Sequence, residues 1–162
     1  MSLPLAQAML TAADDEDAVW DLISEQSEMF IWDEYGDELE QWESVAEARG
    51  LPLVGYEINE DEQTLYDYKD KTVVVPLLND RGDNTIAVHT LGTLVYPDIE
   101  LRLSVDTMGN SERAFMPLTP AEWADLERQF GVNAVALLFT KLGANIDEMY
   151  ALADPSFDAR FA

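Results

Sequence analysis

His89 is the one imidazole in a chain that has no cysteine, so any chemistry through a nitrogen or sulfur side chain of that kind converges on this residue. A histidine acting as general base or metal ligand needs a cleft and an orienting carboxylate, and Asp80, Asp83 and Asp106 are the acids the fold could bring near it. Asn79, Asp80, Asp83 and Asn84 set oxygen-bearing side chains around Gly82, in the manner of a hard-cation loop, which makes Asp80 and Asp83 the candidate metal ligands. The acid that a calcium loop carries about six residues after its glycine falls at Val88, however, and a turn followed by a helix cap uses the same residues. Ser104 and Ser111 lack the G-x-S-x-G setting of a hydrolase nucleophile. With no phosphate loop, dinucleotide fingerprint, H-E-x-x-H pair or basic-aromatic interleaving, no cofactor is expected. The weak catalytic candidates are therefore His89 and Asp106, and a non-enzymatic role is favoured.

A second set of residues could do binding rather than catalysis. Residues 30–50 crowd carboxylates around Trp32, Tyr35 and Trp42, and no Lys or Arg precedes Arg49. On a helix, Tyr35, Leu39, Trp42 and Ala46 fall on one apolar face, and Asp33, Asp37, Glu40, Glu43 and Glu47 line the neighbouring one. Asp14, Asp17, Asp21 and Glu25 repeat the acidic stripe on the preceding helix. Like charges at such spacing weaken a helix by a few tenths of a kcal/mol per pair, and almost no lysines offset them. A solvated face is one reading, a binding face the other. In the second, Trp32, Asp33, Asp37, Glu40, Glu43 and Glu47 form the site, with Trp32, outside the apolar face, a better candidate for exposure than Tyr35 or Trp42.

The elements that must position these groups follow from periodicity and punctuation. Helical spacing is expected over residues 4–11, 14–30 and 36–47, with Gly50 closing the third helix. Residues 51–58 and 72–78 read as strands, 64–68 as a further strand between them, and Pro76 puts the second at an edge or at its end. Asp83 and Asn84 can cap a helix over residues 85–95, although Val88, Thr90 and Thr93 leave strand open. Strict alternation over residues 98–106 predicts a strand with Ile99, Leu101, Leu103 and Val105 inward and Glu100, Arg102, Ser104 and Asp106 solvated. Residues 111–118 are its antiparallel return. Thr119, Pro120 and Glu122 spell a capped helix start with Trp123, Leu126 and Phe130 buried. Helices over 132–142 and 146–153 and a tail at 154–162 complete an α+β chain: a helical front, a mostly antiparallel sheet of four or five strands over residues 51–118, and helices over 119–153.

The 162 residues and the 48% hydrophobic fraction suit one globular domain. The net charge of -24 is uneven: residues 1–71 carry 20 acids against 3 bases, net -17, and residues 72–162 carry 13 against 6, net -7. Such a surface repels nucleic acid and anionic lipid and accelerates encounter with a basic protein. The first residues lack a basic region, and no apolar run reaches the roughly 18 residues that span a bilayer, so neither export nor membrane insertion is expected and the cytoplasm is the expected address.

In size, charge and lack of cysteine the chain resembles bacterial immunity proteins, a compositional likeness without a shared motif, which implies a non-enzymatic inhibitor or neutraliser of a basic partner. A DNA mimic, its stripes standing for phosphates, is the extreme version. The alternatives are an enzyme or ligand-binding domain using His89 with nearby Asp residues, and a halophilic surface adaptation, which the three lysines fit and the uneven charge does not. An exposed apolar patch beside the stripes would also permit a homodimer.

Overall fold

The computed structural model describes residues 2–33, 37–77, 83–108, 110 and 112–142 of the chain. Its front is helical. Helix α1 (Leu3–Thr11) is followed by α2 (Glu16–Glu25), whose first turn is closed by the Asp15 carboxylate accepting from the Ala18 N–H at 3.2 Å. A 3-10 turn at Ser27–Met29 leads into a two-residue strand, β1 (Ile31–Trp32). Helix α3 (Glu38–Arg49) ends where Gly50 takes φ +67°, a left-handed conformation that costs a Cβ-free residue nothing.

The strands form two antiparallel sheets. A small one joins β2 (Gly55–Ile58), β3 (Thr64–Tyr68) and β4 (Lys71–Val74) in that order. The larger has the order β1-β6-β5-β7, with β5 at Glu100–Ser104, β6 at Ala114–Leu118 and β7 at Phe139–Lys141. The α+β class and the helical ends are as expected, but the strands divide between two sheets. Residues 83–95 resolve as helix, α4 (Asp83–Val95), because ten of its residues, among them Ile86, Val88, Leu91 and Leu94, are buried by tertiary packing that overrides their β-branched preference. The helix expected over residues 132–142 stops early: α6 (Val132–Leu138) gives way to β7, whose Phe139 pairs with Ser104 of β5. The expected helix at 146–153 lies outside the described residues.

The four-stranded sheet is covered on both faces. Leu101, Leu103 and Phe115 belong to one core with Trp42 and Ala46 of α3, Tyr66 and Tyr68 of β3 and the apolar residues of α4. Ala114, Met116, Leu118 and Phe139 belong to a second core with α1, α2, α5 (Pro120–Phe130) and α6. This corrects the expectation that β5 has a solvated face: Arg102 and Ser104 are buried. The Arg102 guanidinium lies 4.5 Å from the Trp123 ring centre and pairs with Glu100 at 2.6 Å, so α5 covers the alternating polar side. Helix α5 starts with the full capping box that its sequence spells, Thr119 accepting from the Glu122 N–H at 3.1 Å and Glu122 from the Thr119 N–H at 2.9 Å. Among the described residues no helix is long and apolar enough to cross a membrane.

Two tyrosines bolt the small sheet to its neighbours. Tyr66 and Tyr68 project from the same face of β3, and the Tyr66 hydroxyl donates to buried Glu38 of α3 while Tyr68 donates to Asp98 at 2.7 Å. Burial first, then the adjacent carboxylate, holds both phenols above their usual range. Trp42 packs edge-on to Tyr68 at 5.8 Å and donates its indole N–H to the Pro52 carbonyl at 3.1 Å. Tyr66→Phe takes a donor from a buried carboxylate and should lower stability by about 1–3 kcal/mol in urea denaturation. Tyr68→Phe should cost less, because Asp98 keeps the Lys69 ammonium at 2.6 Å and remains partly open to solvent.

Candidate acidic groove

The short strand β1 lies along β6 with Ile31 opposite Phe115 and Trp32 opposite Ala114. Antiparallel alternation then turns the Trp32 N–H away from β6, where the Gln41 side-chain oxygen accepts it, so the start of α3 is docked along the outer edge of β1. The Trp32 indole N–H donates to the Ser27 carbonyl at 2.9 Å, and its ring meets Phe30 edge-on at 6.0 Å. Between the 3-10 turn, β1 and the first turns of α3 lies a groove of about 520 Å³. Phe30 and Trp32 form its aromatic wall, Glu28, Asp37, Glu40 and Glu112 supply carboxylates, and among the described residues no base lines it.

This arrangement brings together three of the six residues read from the sequence as a binding site, Trp32, Asp37 and Glu40. Glu43 and Glu47 are exposed further along α3 but do not line the groove. Glu28 and Glu112 were not singled out by sequence. Glu28 sits in an acidic stretch where nothing distinguishes it, and Glu112 reaches the site only through the β1–β6 pairing, which local patterns do not reveal. A ring of carboxylates beside an indole face can hold an ammonium or guanidinium group, by charge and by cation–π attraction. Among the described residues no nucleophile beyond the serine hydroxyls, and no histidine, lines it.

Asp33 is a correction. It is not on the acidic face at all: it is 3% exposed and works as a clasp. One carboxylate oxygen accepts from the Arg113 N–H at 2.6 Å, the other from the Thr85 hydroxyl at 3.0 Å, with the Arg113 guanidinium 3.7 Å away. It thereby joins β1, the start of α4 and the residue that leads into β6. The weak catalytic and metal candidates are not assembled into a site by what is described. His89 is buried on α4, whose packing surrounds it, and lines neither this groove nor a smaller one beside Tyr96 and Lys141. Asp106 occupies the 3-10 turn after β5, where burial and the nearby Glu16 of α2 raise its pKa. Asp83 opens α4, Asp80 lies outside the described residues, and among those described no group of three His, Asp or Glu is placed to hold a metal.

Burial raises the Asp33 carboxyl to about 6 against the hydrogen bonds that favour its charged form. A raised carboxyl pKa means that the folded state binds the proton more tightly than the unfolded chain, so this residue's contribution to stability is greatest below about 4 and declines as pH rises to about 6. Asp33→Asn keeps an acceptor for the Arg113 N–H and a donor toward Thr85 but cannot titrate. The stability of the parent minus that of Asp33→Asn should therefore fall between pH 4 and 6.5 by up to about 3 kcal/mol, measured by denaturant unfolding at each pH. Asp33→Ala, which strands two buried donors, should show the same pH dependence and be less stable than Asp33→Asn by about 1–3 kcal/mol at every pH.

Compared with known proteins, the chain matches no family model, no curated protein and no solved structure.

Proposed function

We propose that the chain is a non-enzymatic protein-binding module, an inhibitor or neutraliser of a basic partner protein. The observation that carries this reading is the groove beside β1, where four carboxylates and two aromatic side chains converge and no described base lines the groove. An exposed Lys or Arg of the partner would enter it and stack on Trp32, and the exposed carboxylates of α2 and α3 would steer the encounter. The basic partner is required by the sign of the charge: a second copy of a chain carrying -24 is repelled by the same field. The four carboxylates of the groove repel phosphate, so nucleic acid is not the ligand in this reading.

Affinity capture from nuclease-treated lysate at low and high salt tests it. The parent should retain a basic protein at low salt and release it at high salt. Glu28→Gln, Asp37→Asn, Glu40→Gln and Glu112→Gln together should weaken retention by about tenfold or more, whereas Glu43→Gln with Glu47→Gln should change it only as rim charges do, through the association rate. Equal loss in both variants would leave a diffuse field and no groove; equal retention by the groove variant would dismiss the reading.

A further inference from the structure

The two sheets treat their outer edges differently. On β1 the outward Trp32 N–H is taken by Gln41, so that edge is closed by a side chain. On the small sheet, the Asn59 N–H donates to the Gln63 carbonyl at 3.0 Å, and the register pairs Glu57 with Leu65 and Gly55 with Asp67. By antiparallel alternation the backbone groups of Gly55 and Glu57 point to β3, and those of Tyr56 and Ile58 point outward. Among the described residues no strand lies beyond them.

The side chains of this edge are also unusual. Tyr56 and Ile58 share the face of Tyr66 but overhang the core, at 58% and 59% exposed, and Leu53, just before the strand, is 58% exposed. Natural edges are normally blunted by charge, proline or a covering element, and two exposed apolar residues with outward backbone groups are the opposite. The other face of the same strands is acidic. Glu57 and Asp67 lie there, exposed, with Glu60, Asp61 and Glu62 in the adjoining turn. The Asp67 carboxylate packs over Gly55 in the space a Cβ would take, so the glycine is what lets this carboxylate cover the strand. The nearby base Lys69 is held by Asp98.

We infer that β2 is an edge for strand addition, and that its occupant is an extended segment of another protein in which apolar and basic residues alternate. The outward N–H and C=O groups of Tyr56 and Ile58 pair with the incoming backbone. Its apolar side chains cover Tyr56 and Ile58, and its Lys or Arg side chains, one residue out of phase, meet Glu57 and Asp67. A second copy is the wrong occupant, because its own Glu57 and Asp67 would face these. The inference rests on a different element from the groove and stands or falls separately.

Backbone hydrogen exchange, read residue by residue, tests it with a short peptide alternating lysine and valine, against a peptide of the same composition with the lysines and valines in two blocks. The alternating peptide should slow exchange of the Tyr56 and Ile58 amides by about tenfold or more and leave the already bonded Leu65 amide unchanged; the block peptide should not. Ile58→Pro, which removes an N–H that faces away from β3, should abolish the protection while the sheet survives. Methylating alternate backbone nitrogens of the peptide should do the same without touching the protein. Equal protection by the block peptide, protection confined to α3, or protection in the protein alone that grows with its concentration would each overturn the inference.

Discussion

With 33 acids and nine bases, the fold depends on where it places its few cations. Nearly all the described ones are tied to a carboxylate or to backbone carbonyls. Arg49 of α3 pairs with Glu122 of α5 at 2.7 Å, Arg102 with Glu100, Lys69 with Asp98, Arg113 with Asp33, and Arg128 with Asp125. Lys71 donates to the carbonyls of Leu94 and Tyr96, where the end of α4 presents the negative pole of its dipole. Several of these pairs tie elements distant in sequence, so the cations act as cross-links between layers rather than as a screen over the surface. The consequence is geometric. Asp33, Glu100 and Glu122 beside the larger sheet are paired one by one, whereas among the described residues no base pairs with the acids of α2, the front of α3 or the outer face of the small sheet.

The acids therefore fall into two physical classes that composition cannot separate. Asp33 and Glu38 flank the start of α3, both nearly inaccessible to water, each held by a hydroxyl from another element, Thr85 and Tyr66. Asp37 and Glu40, within a few residues of them, face open solvent. The first pair fixes how α3 sits against α4 and the small sheet; the second uses that fixed helix to line the groove. A buried carboxylate and an exposed one thus serve the same site in sequence, one by positioning and one by field.

Much of the fold was legible because its signals are local. The Thr119 capping box, the Gly50 stop, the buried face of Trp42 and Ala46 and the pairing of residues 98–106 with 111–118 all follow from spacing within a few residues. What was not legible depends on distant pairing. Strand β1 is two residues long and exists because β6 offers it an edge. Phe139 continues a helical pattern but is drawn into β7 by Ser104 and Leu103 of β5. Arg102 and Ser104 alternate as solvated residues should, yet α5 closes over Arg102 through Trp123. Of the site, Trp32, Asp37 and Glu40 could be read from the charge and aromatic pattern. Asp33 could not be told from its neighbours, since its inward turn is set by Arg113, eighty residues away.

The uncompensated charge does not need a partner in order for the chain to fold. Like-charge pairs on α2 and α3 each cost a few tenths of a kcal/mol and are further weakened by salt. Against them, α2 buries Val19 and Ile23 and α3 buries Trp42 and Ala46, and a fully buried large apolar side chain contributes about 1.5–3 kcal/mol. Packing on the sheet faces therefore outweighs repulsion along the helices, and the acidic front is backed by buried side chains. A charged surface ordered by such packing acts on encounter and orientation, because little binding energy is diverted to ordering it. The proposed groove and the proposed β2 edge differ in kind: the first would take charge that arrives on a side chain, the second a backbone that arrives already extended.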